Sequence, residues 1–260
     1  MPSSPWQQRI DRTKVLAGLH PFAGEILSFY AHLASLQERQ YRQIENGRES
    51  AVPGSDVLPD TVSDFLVFLG KVEGRGPQGL RNSARELRSA GTKACANLLN
   101  SGWQRPELSP SQPQEFLARA FLQPYAVLAR LRSASDWGEY NRSLCPFCGR
   151  KPGAGILRPR GDGGSRSLLC SFCLAEWDFR RIVCAGCGEE DYKKLPVYTA
   201  NDFDYVRVES CDTCKQYLKT IDLTKNGLAE PVVDEIAAAP LDLWAQEQGY
   251  SKLELNLVGM

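Results

Sequence analysis

Four cysteine pairs of one form constrain this chain more than any other feature: Cys145-Pro-Phe-Cys148, Cys170-Ser-Phe-Cys173, Cys184-Ala-Gly-Cys187 and Cys211-Asp-Thr-Cys214. Two residues between cysteines let one tight turn aim both sulfurs at a single cation, so each pair supplies half of a tetrahedral site. Merely buried thiols have no reason to fall at the same gap four times. Thiols kept reduced in a cytosol and arranged in close pairs read as metal ligands, not as a disulfide framework. The ninth cysteine, Cys95, lies among Ala and Leu and reads as a small core residue.

The pairs are separated by 21, 10 and 23 residues, and the start-to-start offsets are 39 residues from Cys145 to Cys184 and 41 from Cys170 to Cys211. This is an internal duplication, and it favours two successive four-cysteine sites over interleaved ones. Gly149 and Gly188 follow the first pair of each half, where a sulfur-binding turn calls for positive φ. Four thiolates around a divalent ion leave a charge of minus two. The chain's 31 basic and 31 acidic residues cancel formally, so two loaded sites would make it acidic. Tetrahedral sulfur suits zinc and a rubredoxin-type single iron alike, so the expected cofactors are two metal ions, iron or zinc, each in a four-cysteine site. A closed site leaves no position for Lewis-acid chemistry, but it turns metal-binding free energy into folding free energy.

Residues 1–135 read as a helical domain. Phe22 to Gly47 carries apolar residues at spacings of three and four. Asp60 or Thr61 could cap a second helix through the apolar run Phe65–Leu69, with a Gly-rich break from Gly70 to Gly79. Leu80 to Asn100 is helical again, Pro106 to Pro113 is a loop, and Phe116 to Leu131 is a helix in which Pro124 predicts a kink or break. From Tyr140 to Thr224 the texture is short extended runs between turns. Gly153-Ala-Gly155 and Gly161-Asp-Gly-Gly164 read as loops or hairpin turns, and strands are expected around Tyr205–Ser210 and Gln216–Leu223. Val232 to Ala239 and Pro240 to Gly249 read as two short helices, with Asp234 and Glu235 as charges at a helix start. The domain expectation is therefore 1–135 helical, 140–183 first metal module, 184–225 second metal module and 226–260 a helical tail.

An enzyme has little to stand on here. Gly70-Lys-Val-Glu-Gly-Arg-Gly lacks the Lys-Ser/Thr ending of a nucleotide loop, no nucleophile elbow or zinc-protease motif appears, and both histidines, His20 and His32, lie in the helical half. Zero net charge and little interleaving of aromatic with basic residues argue against a nucleic-acid-binding zinc ribbon. A rubredoxin-like redox protein is the other alternative. The longest apolar run is about five residues, against roughly 20 for a membrane span. With no charged-then-apolar start, the expectation is a cytoplasmic protein.

Ser143-Leu-Cys-Pro-Phe-Cys-Gly149, Leu168-Leu-Cys-Ser-Phe-Cys-Leu-Ala-Glu-Trp177 and Leu241-Asp-Leu-Trp-Ala-Gln-Glu-Gln-Gly-Tyr250, behind a helical domain, resemble the FdhE family of formate dehydrogenase accessory proteins. The likeness is tight from Leu144 to Gly259 and looser before it. It implies an α+β chain: a helical N-terminal domain, two tandem rubredoxin-like or zinc-ribbon modules, and short C-terminal helices. It implies a non-catalytic maturation factor whose partner is the catalytic subunit of formate dehydrogenase. Its metal ligands would be Cys145, Cys148, Cys170, Cys173, Cys184, Cys187, Cys211 and Cys214. Arg158, Arg160, Arg180 and Arg181 are the candidate partner-binding residues. Together with Arg166 they could equally be solvated surface that offsets the charge of the metal sites.

Overall fold

The computed structural model describes residues 4–47, 59–104, 112–133, 137–161 and 163–256. Five helices come first: α1 (Pro5–Leu19), α2 (Gly24–Glu45), α3 (Pro59–Arg75), α4 (Gln78–Gln104) and α5 (Pro113–Arg132). The sheet follows as β1 (Pro152–Arg160), β2 (Gly163–Cys170), β3 (Glu176–Asp178), β4 (Val197–Ala200), β5 (Phe203–Ser210) and β6 (Gln216–Asp222). Helices α6 (Pro231–Ala237) and α7 (Ala239–Glu247) and strand β7 (Ser251–Lys252) complete it. Among the described residues no helix is long and apolar enough to cross a membrane.

Helix α1 went unread in the sequence because its buried stripe is Trp6, Arg9, Thr13 and Leu16, and two polar residues hide the period. Its start is conventional: Ser4 Oγ accepts from the Gln7 N–H, and Pro5 occupies the first turn. Arg9 is buried and Arg12 half-buried because they pair with Glu230 at 3.2 Å and Asp234 at 2.5 Å, and so tie α1 to the start of α6.

Three local expectations are corrected. The break at Gly70–Gly79 shrinks to Gly76-Pro77. Helix α3 runs through Gly70 and Gly74 because Phe65, Phe68, Leu69 and Val72 form one buried face. Gly76 then turns the chain so closely over the Val72 carbonyl that a Cβ would come within 2.8 Å of it. Thr61 is not a cap but lies inside α3, and the Asp60 side chain lies outside the described residues, as does most of the loop expected at Pro106 to Pro113. Helix α5 continues through Pro124 unbroken, for a reason taken up in the Discussion. It is the axis of the helical half, with every residue from Phe116 to Leu128 buried. Helix α4 bends instead, at Gly91, where φ is +85°.

The two cysteine-bearing halves are joined through their strands. Their strands form one sheet in the order β3-β2-β1-β6-β5-β4, with β7 beside β6. Antiparallel hairpins build each half, and the seam is the parallel pairing of β1 with β6, Gly155 opposite Thr220. Gly153-Ala-Gly155 is therefore strand and not loop: a Cβ on Gly155 would lie 2.2 Å from Thr220 Oγ1, so glycine permits the seam to close. Gly161 follows β1, and Gly163 and Gly164 open β2, where they pair with Arg160 and Pro159 across the hairpin.

Helices α6 and α7 cover the sheet, and α6 also meets α1 and α2 of the helical half. Asp234 and Glu235 are more than helix-start charges. Asp234 accepts from Arg12 and from the Tyr205 hydroxyl. Glu235, 2% exposed, meets Lys219 at 2.9 Å and also Lys252 and Asn256. Lys219, wholly buried, also pairs with Asp242 at 2.6 Å, so a closed ionic network fastens sheet to helices.

Candidate metal centres

Each cysteine pair folds into the same turn. The N–H of the first cysteine donates to the carbonyl five residues on: Cys145 to Arg150, Cys170 to Ala175, Cys184 to Glu189 and Cys211 to Gln216, all at 2.8–2.9 Å. Gly149, Gly188 and Lys215 donate back to Cys145, Cys184 and Cys211 at 2.8–3.0 Å. The residue after the second cysteine is left-handed in all four turns: Gly149 (φ 72°), Leu174 (φ 56°), Gly188 (φ 78°) and Lys215 (φ 55°). The duplication in the sequence is thus a duplication of backbone conformation.

These turns gather the sulfurs into two groups, Cys145, Cys148, Cys170 and Cys173, and Cys184, Cys187, Cys211 and Cys214, each within 4.8 Å of one another. Cross-pairing repeats as well. Cys145 and Cys173 are 3.5 Å apart and Cys148 and Cys170 3.4 Å, while Cys184–Cys214 and Cys187–Cys211 are both 3.7 Å. Bonds of about 2.3 Å to a tetrahedral ion put sulfurs roughly 3.8 Å apart, whereas a disulfide would bring them to about 2.05 Å. The spacing fits a shared cation, and the cysteines are free thiols. The order is sequential, not interleaved.

The two centres differ in surroundings. At the first, Cys145, Cys170 and Cys173 are buried and Cys148 is half-buried. Three arginines that the sequence reading passed over hold its turns. Arg150, 3% exposed, lies 4.2 Å from the Phe172 ring and donates to the Gly102 carbonyl of α4. Arg130 Nε donates to the Cys173 carbonyl at 3.0 Å. Arg119 donates to Ser171 Oγ at 2.5 Å and pairs with Glu254 at 2.7 Å. Arg119 and Arg130 show in the sequence only as arginines interrupting an apolar helical run, and Arg150 only as a basic residue after a turn glycine, which reads as surface until the partner is known. Burial holds the Arg150 guanidinium below its usual value, and the Cys148 and Cys170 thiolates act the other way. Hydrogen bonding from Cys148 lowers the Cys145 thiol, while bonds with its three neighbours push Cys173 up.

At the second centre Cys187 is exposed, Cys184 and Cys214 are half-buried, and Cys211 alone is buried. Its surroundings include the exposed carboxylate of Asp212 and the half-buried one of Glu189. A hydrogen bond from Thr213 and backbone N–H groups hold Glu189 at about 2. No carboxylate–histidine pair approaches either centre among the described residues: His20 stacks on Phe203, and His32 is half-buried in α2.

Of the candidate partner-binding arginines, Arg158 and Arg160 lie on β1, and Arg180 and Arg181 follow β3. Arg158 forms a two-pronged pair with Glu176 at 2.8 Å, Arg160 meets Asp178 at 3.7 Å, and Arg180 pairs with Glu190. Among the described residues Arg181 reaches only the Gly164 carbonyl, at 3.5 Å. Arg166, on β2, is buried and bonded to Glu209 and to the carbonyls of Arg180 and Val183.

Family models described as FdhE, central domain, and FdhE, C-terminal domain, match residues 144–181 and 182–258. An FdhE homolog of Aquifex aeolicus is 29% identical over 96% of this chain and 94% of its own length. One from Pseudomonas aeruginosa is 33% identical over 67% of this chain and 58% of its own, and the Escherichia coli FdhE protein is 31% identical over 56% and 48%. In fold the chain is similar to the crystal structure of the FdhE protein from Pseudomonas aeruginosa, with a TM-score of 0.72 at 24% identity, covering 99% of this chain and 97% of that one.

Proposed function

Because the chain belongs to the FdhE family, we propose that it is a non-catalytic accessory factor of formate dehydrogenase that holds the enzyme's catalytic subunit during maturation. In this reading Cys145, Cys148, Cys170 and Cys173 bind one metal ion, zinc or iron, and Cys184, Cys187, Cys211 and Cys214 bind a second. The observation that carries it is the pair of preformed four-sulfur cages built into one sheet. Closed cages supply rigidity, not a reaction: they staple the strands into a face whose shape does not relax when a partner docks. A subunit awaiting its cofactors samples open and closed forms, and a rigid partner that binds the open form more tightly shifts the balance by that difference in affinity.

The partner-facing flank in this proposal carries Arg158, Arg160, Arg180 and Arg181. Three of these already have carboxylate neighbours, so the flank presents alternating charge. Such a surface sets partner choice and orientation more than raw affinity.

Two measurements test the proposal. Elemental analysis of anaerobically purified chain is expected to give two metal equivalents, and its outcome decides between zinc and iron. Pull-down with the formate dehydrogenase catalytic subunit is expected to succeed with the native chain and to weaken when the four arginines are replaced by Ala. Undiminished capture by that variant refutes the arginine assignment.

A further inference from the structure

A cleft of about 480 Å³ opens between the face of the sheet and the segment Arg181–Gly186 that leads into the second cysteine cage. Leu157, Leu218 and Leu253 contribute to its apolar lining. Ile182, Tyr192 and Val197 stand at its wall with 59%, 68% and 53% of their surfaces exposed. Three large apolar side chains exposed together beside an apolar cleft are what a recognition site offers, whereas scattered exposed apolar residues need no explanation.

The charges around the cleft narrow the occupant. Arg166 is neutralised by Glu209 at 2.6 Å and Arg207 by Asp222 at 2.5 Å. Arg181 is exposed, donates only to the Gly164 carbonyl, and has no carboxylate in ion-pairing range among the described residues. The cleft therefore combines an apolar interior with one positive charge that no carboxylate among the described residues answers. Val197 belongs to β4, which pairs with β5 on one side and stands at the end of the strand order. An exposed strand edge offers main-chain donors and acceptors to an extended chain.

We propose that this cleft binds an extended peptide segment of a partner polypeptide, with an apolar side chain seated over Leu157 and Leu218 and an acidic residue beside it facing Arg181. The inference deepens the proposed accessory role and rests on it for who the partner is, but not for the chemistry of the cleft.

The test uses the metal-loaded full chain and two peptides, acetyl-Ala-Leu-Phe-Asp-Asp-amide and its analogue with both Asp replaced by Asn. The acidic peptide is expected to bind at sub-millimolar to roughly millimolar concentrations, as suits so small a contact. Arg181→Ala is expected to weaken it about fivefold, the size of one exposed ion pair, and to leave the Asn analogue unchanged. Ile182→Glu is expected to abolish binding of both peptides. Both positions are exposed, and metal stoichiometry shows that each variant is folded. Equal binding of the two peptides, an unaltered Ile182→Glu variant, or no binding to the native chain would each overturn the proposal. Pull-down separates the two readings. If Ile182→Glu captures the dehydrogenase subunit as well as the native chain does, the cleft falls and the accessory role stands. If the peptides bind as expected and the native chain captures no subunit, the reverse holds.

Discussion

Gln37 on α2 donates through Nε2 to the backbone carbonyl of Ala120 on α5, 2.7 Å away, and that carbonyl is the acceptor left open because Pro124, four residues on, has no N–H. Gln37 is wholly buried; it also accepts from the Trp6 indole at 3.1 Å and donates to Gln123 Oε1 at 3.1 Å. A side chain from a neighbouring helix thus repairs the backbone defect, and α5 runs on without a break. Removing Gln37 as Gln37→Leu is expected to cost about 1–3 kcal/mol, the cost of stranding a buried acceptor. In a Pro124→Ala background residue 124 regains its N–H and can serve Ala120 itself, so the same change is expected to cost about 1 kcal/mol less. Urea midpoints of the four chains measure this, and strictly additive costs would show that the two residues are not coupled as described.

The network around Glu235 predicts a particular acid response. Burial pushes this carboxyl up, but Lys219 and Lys252, with the Asn256 amide, outweigh burial and hold it at about 2. Asp242 shares both lysines and accepts from the Tyr217 hydroxyl, so every group facing Glu235 is itself engaged. A carboxylate lowered on folding contributes stability that is complete above the ordinary carboxylate range and is lost as pH falls through that range toward 2. Glu235→Gln is expected to be less stable than the native chain by a constant margin from about pH 8 to 5, and the margin is expected to shrink on further acidification. A margin that stays constant down to about pH 3 would contradict the pairing.

The turn glycines allow a clean measurement of backbone strain. Gly149 and Gly188 sit at φ 72° and 78°, and a Cβ added at either meets nothing within 4 Å. Gly149→Ala and Gly188→Ala therefore introduce no clash, only a left-handed alanine, and are each expected to cost about 1–2 kcal/mol. Leu174 and Lys215 hold the equivalent positions with side chains, so both variants should still bind two metal equivalents. Loss of metal from either would mean that the glycine does more than supply the turn.

What could be read from residues alone follows from how local the cause was. The cages were legible because Cys-x-x-Cys turns close within a few residues, and the period near 40 carried the pairing order across the gaps. β5 was legible because Tyr205–Ser210 alternates; Gln216–Leu223 also announced a strand, but β6 is buried from Tyr217 to Asp222 and not on one face alone. What stayed hidden depended on distant partners. Arg9 and Thr13 masked α1 because the carboxylates that answer Arg9 and Arg12 lie at the start of α6, more than 200 residues on. Pro124 predicted a break because the repair comes from Gln37, on another helix. Gly153 and Gly155 read as a loop because nothing local announces a parallel seam with Thr220. Arg119, Arg130 and Arg150 carry no pattern in sequence that distinguishes them from surface arginines.

The difference in burial between the two cages is expected to set the order in which they would release metal. Three of the four first-cage sulfurs are buried, and Arg119, Arg130 and Arg150 lock its turns against α4 and α5. A chelator reaches a thiolate-bound ion only when a ligand swings away, and at the first cage that requires local unfolding of packed structure. At the second cage Cys187 is exposed and two further ligands are half-buried. The arginine bond that braces the chain leading into it, Arg166 to the Val183 carbonyl, is longer at 3.3 Å. Competition with a coloured chelator is expected to remove metal in two phases of one equivalent each. Alkylation during the fast phase, read by mass spectrometry, should mark Cys184, Cys187, Cys211 and Cys214 before any of the first four. Cys187→Ser is expected to remove the fast phase and leave the slow one, with the helical half still folded. A single phase of two equivalents, or first labelling at Cys145, would show instead that the cages open together as one unit through the β1–β6 seam.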